Sequence, residues 1–217
     1  MPVIQSVQTR VGPARLTLEG SGPATLVLGH GAGGGIEAPD LLAARAAGLA
    51  AGLRVVRVEQ PWRVAGRRIA VAPARLDEAW LDVCAGLAGP LVTGGRSAGA
   101  RVACRTAPAV GAVAVLCLAF PLLPPGRSTS RAGELLAPDV PVLVVQGARD
   151  AFGVPPGAQV VQGADHGFAV RRKDGRTPGQ VAAQIQAVVQ SWLNGLDAAG
   201  LDAAGLDAVG GFRAVER

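Results

Sequence analysis

Short apolar runs alternate along the chain with longer segments in which Ala and Leu recur at helical spacing. The runs are "TLVLGHG", "LRVVRVEQ", "PLVTGG", "VAVLCLAF" and "VPVLVVQGARD". They are preceded by "ARLTLEG", whose apolar and polar residues alternate as in a half-buried edge strand, and followed by "AQVV", a short last strand. Mostly apolar runs predict strands covered on both faces, hence a parallel sheet. Between them "PDLLAARAAGLAAG", "PARLDEAWLDVCAGLAG" and "SAGARVACRTAPAV" predict helices. "TPGQVAAQIQAVVQSWLNG" predicts a last helix, with Pro178 near its first turn and Gly195 after its end. The alternation predicts an α/β fold: a doubly wound, mostly parallel sheet with helices on both faces. Ligands of such sheets bind beyond the carboxyl ends of the strands. That rule selects the loop after Leu28, Gln60 to Arg63, Gly94 to Gly99, Phe120 to Pro124, Asp150 and the segment around His166.

The pattern ends near residue 195, so residues 1–195 are expected to form one domain and 196–217 a low-complexity tail. In the tail GLDAA repeats every five residues. Gly at that frequency costs a helix about 1 kcal/mol each, and Leu at that spacing leaves one face. A chain of 217 residues fits a single domain that buries roughly 70% of its unfolded surface. The longest apolar stretch, "VGAVAVLCLAFPLL", falls short of the about 18 residues that a bilayer span needs and is interrupted by Pro121. "MPVIQSVQTR" lacks the basic and apolar segments of a secretory leader, so a cytoplasmic location without membrane contact is expected. Cys84, Cys104 and Cys117 sit among Ala, Val and Leu with no zinc spacing, as buried reduced thiols do. The net charge of +5 comes almost wholly from scattered Arg; Lys173 is the single lysine and Tyr is absent. Solvated Arg is the expectation, and nucleic acid is not an expected partner, because no basic helix or aromatic platform accompanies the charge.

"VTGGRSAGA" places Gly95-Arg96-Ser97-Ala98-Gly99, a GxSxG pattern, between a predicted strand and a predicted helix, the context of a nucleophile elbow. A serine hydroxyl needs a base. The chain has two histidines, His30 and His166, and His166 follows the last predicted strand. Asp150 ends the run just upstream, so the order Ser97, Asp150, His166 is that of an α/β-hydrolase triad. Asp165 is the second candidate for the acid, but its neighbour His166 would have to turn back to meet it. The developing oxyanion needs N–H donors: Ala98 follows the nucleophile, and "GHGAGGG" occupies the place of the second loop.

That loop also satisfies GxGxxG at Gly29, Gly31 and Gly34, the dinucleotide fingerprint. A dinucleotide loop runs directly into its helix and is followed about 20 residues on by an acidic residue. Here three glycines and Pro39 delay the helix to about Asp40, and Glu59 lies too far along. Neither a cofactor nor a metal is therefore expected, and His30 is read as bracing the loop.

"LGHGAGGG", "QPWRVAGRR", "GGRSAGAR", "VVQGARDAFG" and "GADHGF" together resemble the α/β-hydrolase superfamily over about Leu16 to Leu193. More narrowly they look like a small, lid-poor branch related to dienelactone-hydrolase-like proteins, which includes a hydrolase-like subunit of a histone-acetyltransferase complex. The resemblance implies a triad of Ser97, Asp150 and His166 with oxyanion amides from Ala32 and Ala98. Ala98 stands where the branch often has Met, and Ala100 where Gly is usual, which puts pocket shape in doubt. The 20 or so residues between Phe120 and Val140 leave no room for a large cap. Trp62, Phe120, Leu122, Leu123 and Phe168 are candidates to line a shallow pocket, with Arg63 and Arg96 at its mouth. The expected function is hydrolysis of a small ester, thioester or lactone by a monomer or homodimer. Acyl transfer or cyclisation on the same triad, or a non-catalytic scaffold, are the alternatives.

Overall fold

The computed structural model describes residues 1–126 and 128–196; the expected tail lies outside the described residues from 197 onward, and Leu196 closes the last helix. The chain runs β1 (Val3–Thr9), β2 (Gly12–Glu19), β3 (Thr25–Gly29), α1 (Pro39–Ala50), β4 (Arg54–Glu59), α2 (Pro61–Val64) and α3 (Pro73–Ala85). It continues through β5 (Leu91–Arg96), α4 (Ala98–Thr106), β6 (Ala112–Leu118), α5 (Ala132–Leu135), β7 (Val142–Gly147), β8 (Gln159–Val161) and α6 (Pro178–Leu196). One sheet holds all eight strands in the order β1-β2-β4-β3-β5-β6-β7-β8. From β4 to β8 every pairing is parallel; β1 with β2 and β2 with β4 are antiparallel.

Each strand's two faces feed different cores, as a period of two requires. Leu26 and Leu28 of β3, Leu116 and Leu118 of β6, and Leu143 and Val145 of β7 pack with α1 and α6. Val27 of β3 packs with Leu76, Trp80 and Val83 of α3. Val115 and Cys117 of β6 and Val144 of β7 pack with Ala100 and Ala103 of α4. Helices therefore cover both faces, which is why these strands are apolar at nearly every position.

Two expectations need correction. The sheet's edge is β1, not the "ARLTLEG" segment, which as β2 is paired on both sides. Strand β1 carries Val3 and Ile4 exposed and few buried residues, so its sequence lacks the contrast that marks a strand. Gly195 also falls inside α6, not beyond its end.

The winding sets the site. From β3 the chain crosses to β4 on one side, then returns past β3 to β5 on the other. The carboxyl ends of β3 and β5 thus adjoin at the topological switch point, where a crevice forms. Between β6 and β7 the one described helix is the single turn α5, so no cap domain covers that crevice. Among the described residues no helix is long and apolar enough to cross a membrane. Much of the scattered Arg is locally paired: Arg101 and Arg105 of α4 bind Glu134, and Arg105 also binds Asp77 of α3.

Candidate active site

Strand β5 ends at Arg96, and α4 begins at Ala98, leaving Ser97 alone to make the turn. Its φ of 52° and ψ of −107° are costly for a residue with a Cβ and are characteristic of a sharp strand-to-helix elbow. The Ser97 N–H donates to Leu118 O of the neighbouring strand at 2.9 Å, which pins the turn to the sheet. Gly95 and Gly99 let the turn approach β3. A Cβ on Gly95 would lie 2.4 Å from Gly29 O, and one on Gly99 2.3 Å from the same oxygen. The small residues flanking the serine are therefore dictated by the backbone of β3.

His166 lies in the loop after β8. Its Nε2 is 3.0 Å from Ser97 Oγ and its Nδ1 2.8 Å from Asp150 Oδ2. Asp150 follows β7 and its side chain is fully buried. Gln146 Nε2 also donates to Asp150 Oδ2 at 2.7 Å, and the Phe152 N–H donates to Oδ1 at 2.8 Å. Three hydrogen bonds thus fix the carboxylate, and one of them orients His166 toward the serine. Phe152 also lays its ring against the imidazole, with centroids 4.4 Å apart. Asp165, the second candidate acid, is engaged elsewhere: its Oδ1 accepts the N–H groups of Gly167 and Ala169 at 2.8 and 2.9 Å. It shapes the loop that presents the histidine.

Ala32 and Ala98 both border a small cavity of about 10 Å³ beside the elbow, together with Gln60, Trp62 and Gly99. The N–H of Ala98 is a helix-start donor with no intrahelical acceptor. His30 braces the glycine loop as expected. Its Nδ1 donates to Gly31 O at 2.9 Å, and its Nε2 accepts the Gln60 N–H at 3.1 Å. This pattern requires the neutral ring, and burial holds the pKa below its ordinary 6.5. An unfolded chain takes up that proton first as the pH falls, so the stability His30 supplies is present above about pH 6.5 and lost below it. The gap in Tm between wild type and His30→Leu should therefore narrow between about pH 7.5 and about pH 5.

The remaining expected pocket residues divide. Trp62 is buried against His30 with ring centroids 5.5 Å apart and lines the small cavity. Leu122 is half-buried at the rim and Arg63 is exposed. Phe120 and Phe168, by contrast, are packed in the core: Phe120 is 0% exposed among α4 residues, and Phe168 is 5% exposed in the α1 and α6 core. Arg96 does not reach outward; its Nη2 donates to His166 O at 3.1 Å and its Nε lies 3.1 Å from Asp40 Oδ2. Among the described residues no group of three or more His, Cys, Asp or Glu side chains could hold a metal ion.

A sequence profile described as an alpha/beta hydrolase domain matches residues 22–194. The chain belongs to the α/β hydrolase family. Among solved structures, this α/β hydrolase is similar to a serine hydrolase without a lid from Xanthomonas campestris, at 19% identity over 88% of this chain and 94% of that one, with a TM-score of 0.66. It is also similar to a serine hydrolase homologue from Coxiella burnetii, at 16% identity over 87% and 96%, TM-score 0.69. An esterase from Pyrobaculum calidifontis matches at 19% identity over 88% and 85%, TM-score 0.62. No curated protein matches the sequence. At these identities the neighbours establish the shared fold.

Three side chains that shape this site in the α/β hydrolase were not picked out from the sequence: Gln146, Phe152 and Asp40. Gln146 left a signal, since it is the polar residue inside the apolar run "VLVVQG" and is fully buried. Asp40 reads from sequence only as a favourable acid in a first helical turn.

Proposed function

We propose that Ser97, His166 and Asp150 act as nucleophile, base and acid in the hydrolysis of a small carboxylic ester, thioester or lactone. The continuous chain of hydrogen bonds from Asp150 through His166 to Ser97 Oγ carries this reading. As Ser97 Oγ bonds to the substrate carbonyl carbon, its proton passes to His166 Nε2, while Asp150 stabilises the imidazolium through Nδ1. Collapse of the tetrahedral intermediate expels the leaving group, which takes that proton, and leaves an acyl-Ser97 ester. Water, deprotonated by the same imidazole, then releases the acid.

The amides of Ala32 and Ala98 receive the carbonyl oxyanion, each such donor being worth about 3 to 4 kcal/mol. The cavity beside these amides is small and closed off by Trp62 and Leu76, which supports short acyl chains over long ones. Turnover should therefore be highest on p-nitrophenyl acetate and propionate and lowest on the octanoate. No turnover on any short ester, thioester or lactone would overturn the reading. The intact hydrogen-bonded relay favours catalysis over a scaffold that has merely kept the fold.

A further inference from the structure

Asp40 is a buried charge for which neither the fold nor the proposed relay accounts. It sits in the first turn of α1, 1% exposed, and neither carboxylate oxygen has a well-aligned hydrogen bond among the described residues. Burying a carboxylate on poorly aligned partners is expensive, and an apolar residue would pack there at lower cost. Its one close cation is Arg96, whose Nε stands 3.1 Å from Oδ2.

Arg96 is the residue immediately before Ser97, and its guanidinium touches three loops at once. Nε faces Asp40, where the glycine loop passes into α1. Nη1 lies against the glycine loop, 3.2 Å from where a Cβ on Gly31 would be and 3.9 Å from one on Gly34. Nη2 donates to the backbone carbonyl of His166 at 3.1 Å and lies 3.6 Å from the Cβ position of Gly167. The loops bearing the proposed oxyanion donor, nucleophile and base thus meet on a single planar cation. A planar fork with several donors can serve three directions at once, which a lysine ammonium on a flexible stem cannot do in the same geometry.

Resting on the hydrolase reading of Ser97, we propose that the Asp40–Arg96 pair is a positioning element: Asp40 orients the guanidinium so that Nη2 holds the His166 loop at hydrogen-bonding distance from the nucleophile. Removing the carboxylate leaves Arg96 free to swing toward solvent, and His166 then loses the contact that sets its distance to Ser97.

The pair also responds to pH. Burial, opposed by Arg96 and by the backbone N–H groups of its own helical turn, raises the Asp40 carboxyl to about 6. Asp40 faces Arg96 from the end of β5 and His166 from the loop after β8, while α6, packed on α1, buries Val181, Ile185 and Val189. As the pH falls through about 6, Asp40 gains a proton and its hold on Arg96 weakens.

The test is the second-order rate of fluorophosphonate labelling of Ser97 between about pH 5 and about pH 8.5, in wild type, Asp40→Asn and Arg96→Lys, with folding checked by thermal melts. Asp40→Asn should label tenfold to a hundredfold more slowly at the alkaline plateau, the scale of a small misplacement of catalytic groups, and should lose the part of the acid limb that lies near pH 6. Arg96→Lys should be slowed by a similar factor although its charge is kept, and it carries the test alone if Asp40→Asn does not fold. Folded variants that label within twofold of wild type with an unchanged acid limb overturn the proposal and leave the hydrolase reading standing. A wild type that takes no label at any pH overturns both.

Discussion

Asp150→Asn is expected to lower kcat on short esters by about 10³- to 10⁴-fold while changing KM little, because a triad whose histidine is held in the wrong tautomer loses its base. The surroundings of Asp150 make this replacement unusually unforgiving. Oδ1 accepts the Phe152 N–H, and Oδ2 accepts both Gln146 Nε2 and His166 Nδ1. An asparagine offers one oxygen and one NH₂. With its oxygen toward Phe152, the NH₂ opposes two donors; with the amide reversed, it opposes the Phe152 N–H. The first orientation drives the His166 proton from Nδ1 to Nε2, where it blocks acceptance of the Ser97 proton; the second keeps the tautomer but sets the NH₂ against the Phe152 N–H, and in both the charge that stabilises the imidazolium is gone. Steady-state kinetics on p-nitrophenyl acetate read the loss, and a Tm close to wild type separates it from unfolding.

The largest effect on stability is expected at Gly99. A Cβ there would stand 2.3 Å from Gly29 O, 2.5 Å from Gly29 C and 3.0 Å from His30 O, all of them backbone atoms. No side chain can turn aside to relieve the overlap, so α4 and β3 must separate at the switch point. Gly99→Ala should cost about 3 kcal/mol or more, lowering Tm by roughly 6 to 12 °C for a domain of this size. Gly33 lies in the same glycine loop system, yet a Cβ on it would meet nothing within 4 Å. Gly33→Ala should therefore stay within about 0.5 kcal/mol of wild type. Urea or thermal melts of the two variants distinguish glycines that the backbone requires from one that it tolerates.

This contrast shows what the sequence could and could not reveal. The parallel strands were legible because burial on both faces leaves apolar runs, and Ser97, Asp150 and His166 were legible because each stands where such a run ends. The glycines around Ser97 pointed to a close approach, but only the geometry identifies Gly29 as the neighbour approached. Strand β1 was missed since an exposed edge strand has little apolar contrast. Phe120 and Phe168 lie next to segments of the candidate site in sequence yet face the core, because neighbours along a chain can point to opposite sides. Asp40 and Arg96 are 56 residues apart, and no local pattern relates them. Their pairing arises from the return of the chain past β3, a property of the winding.

The central claim is that Ser97 is a nucleophile activated by His166. Intact-mass measurement after treatment with a fluorophosphonate, followed by peptide mapping, tests it most directly. The account predicts a single adduct on Ser97 in the wild type and essentially none in His166→Ala at the same pH and time. A wild type that gains no mass, or an adduct that maps to another residue, would contradict it.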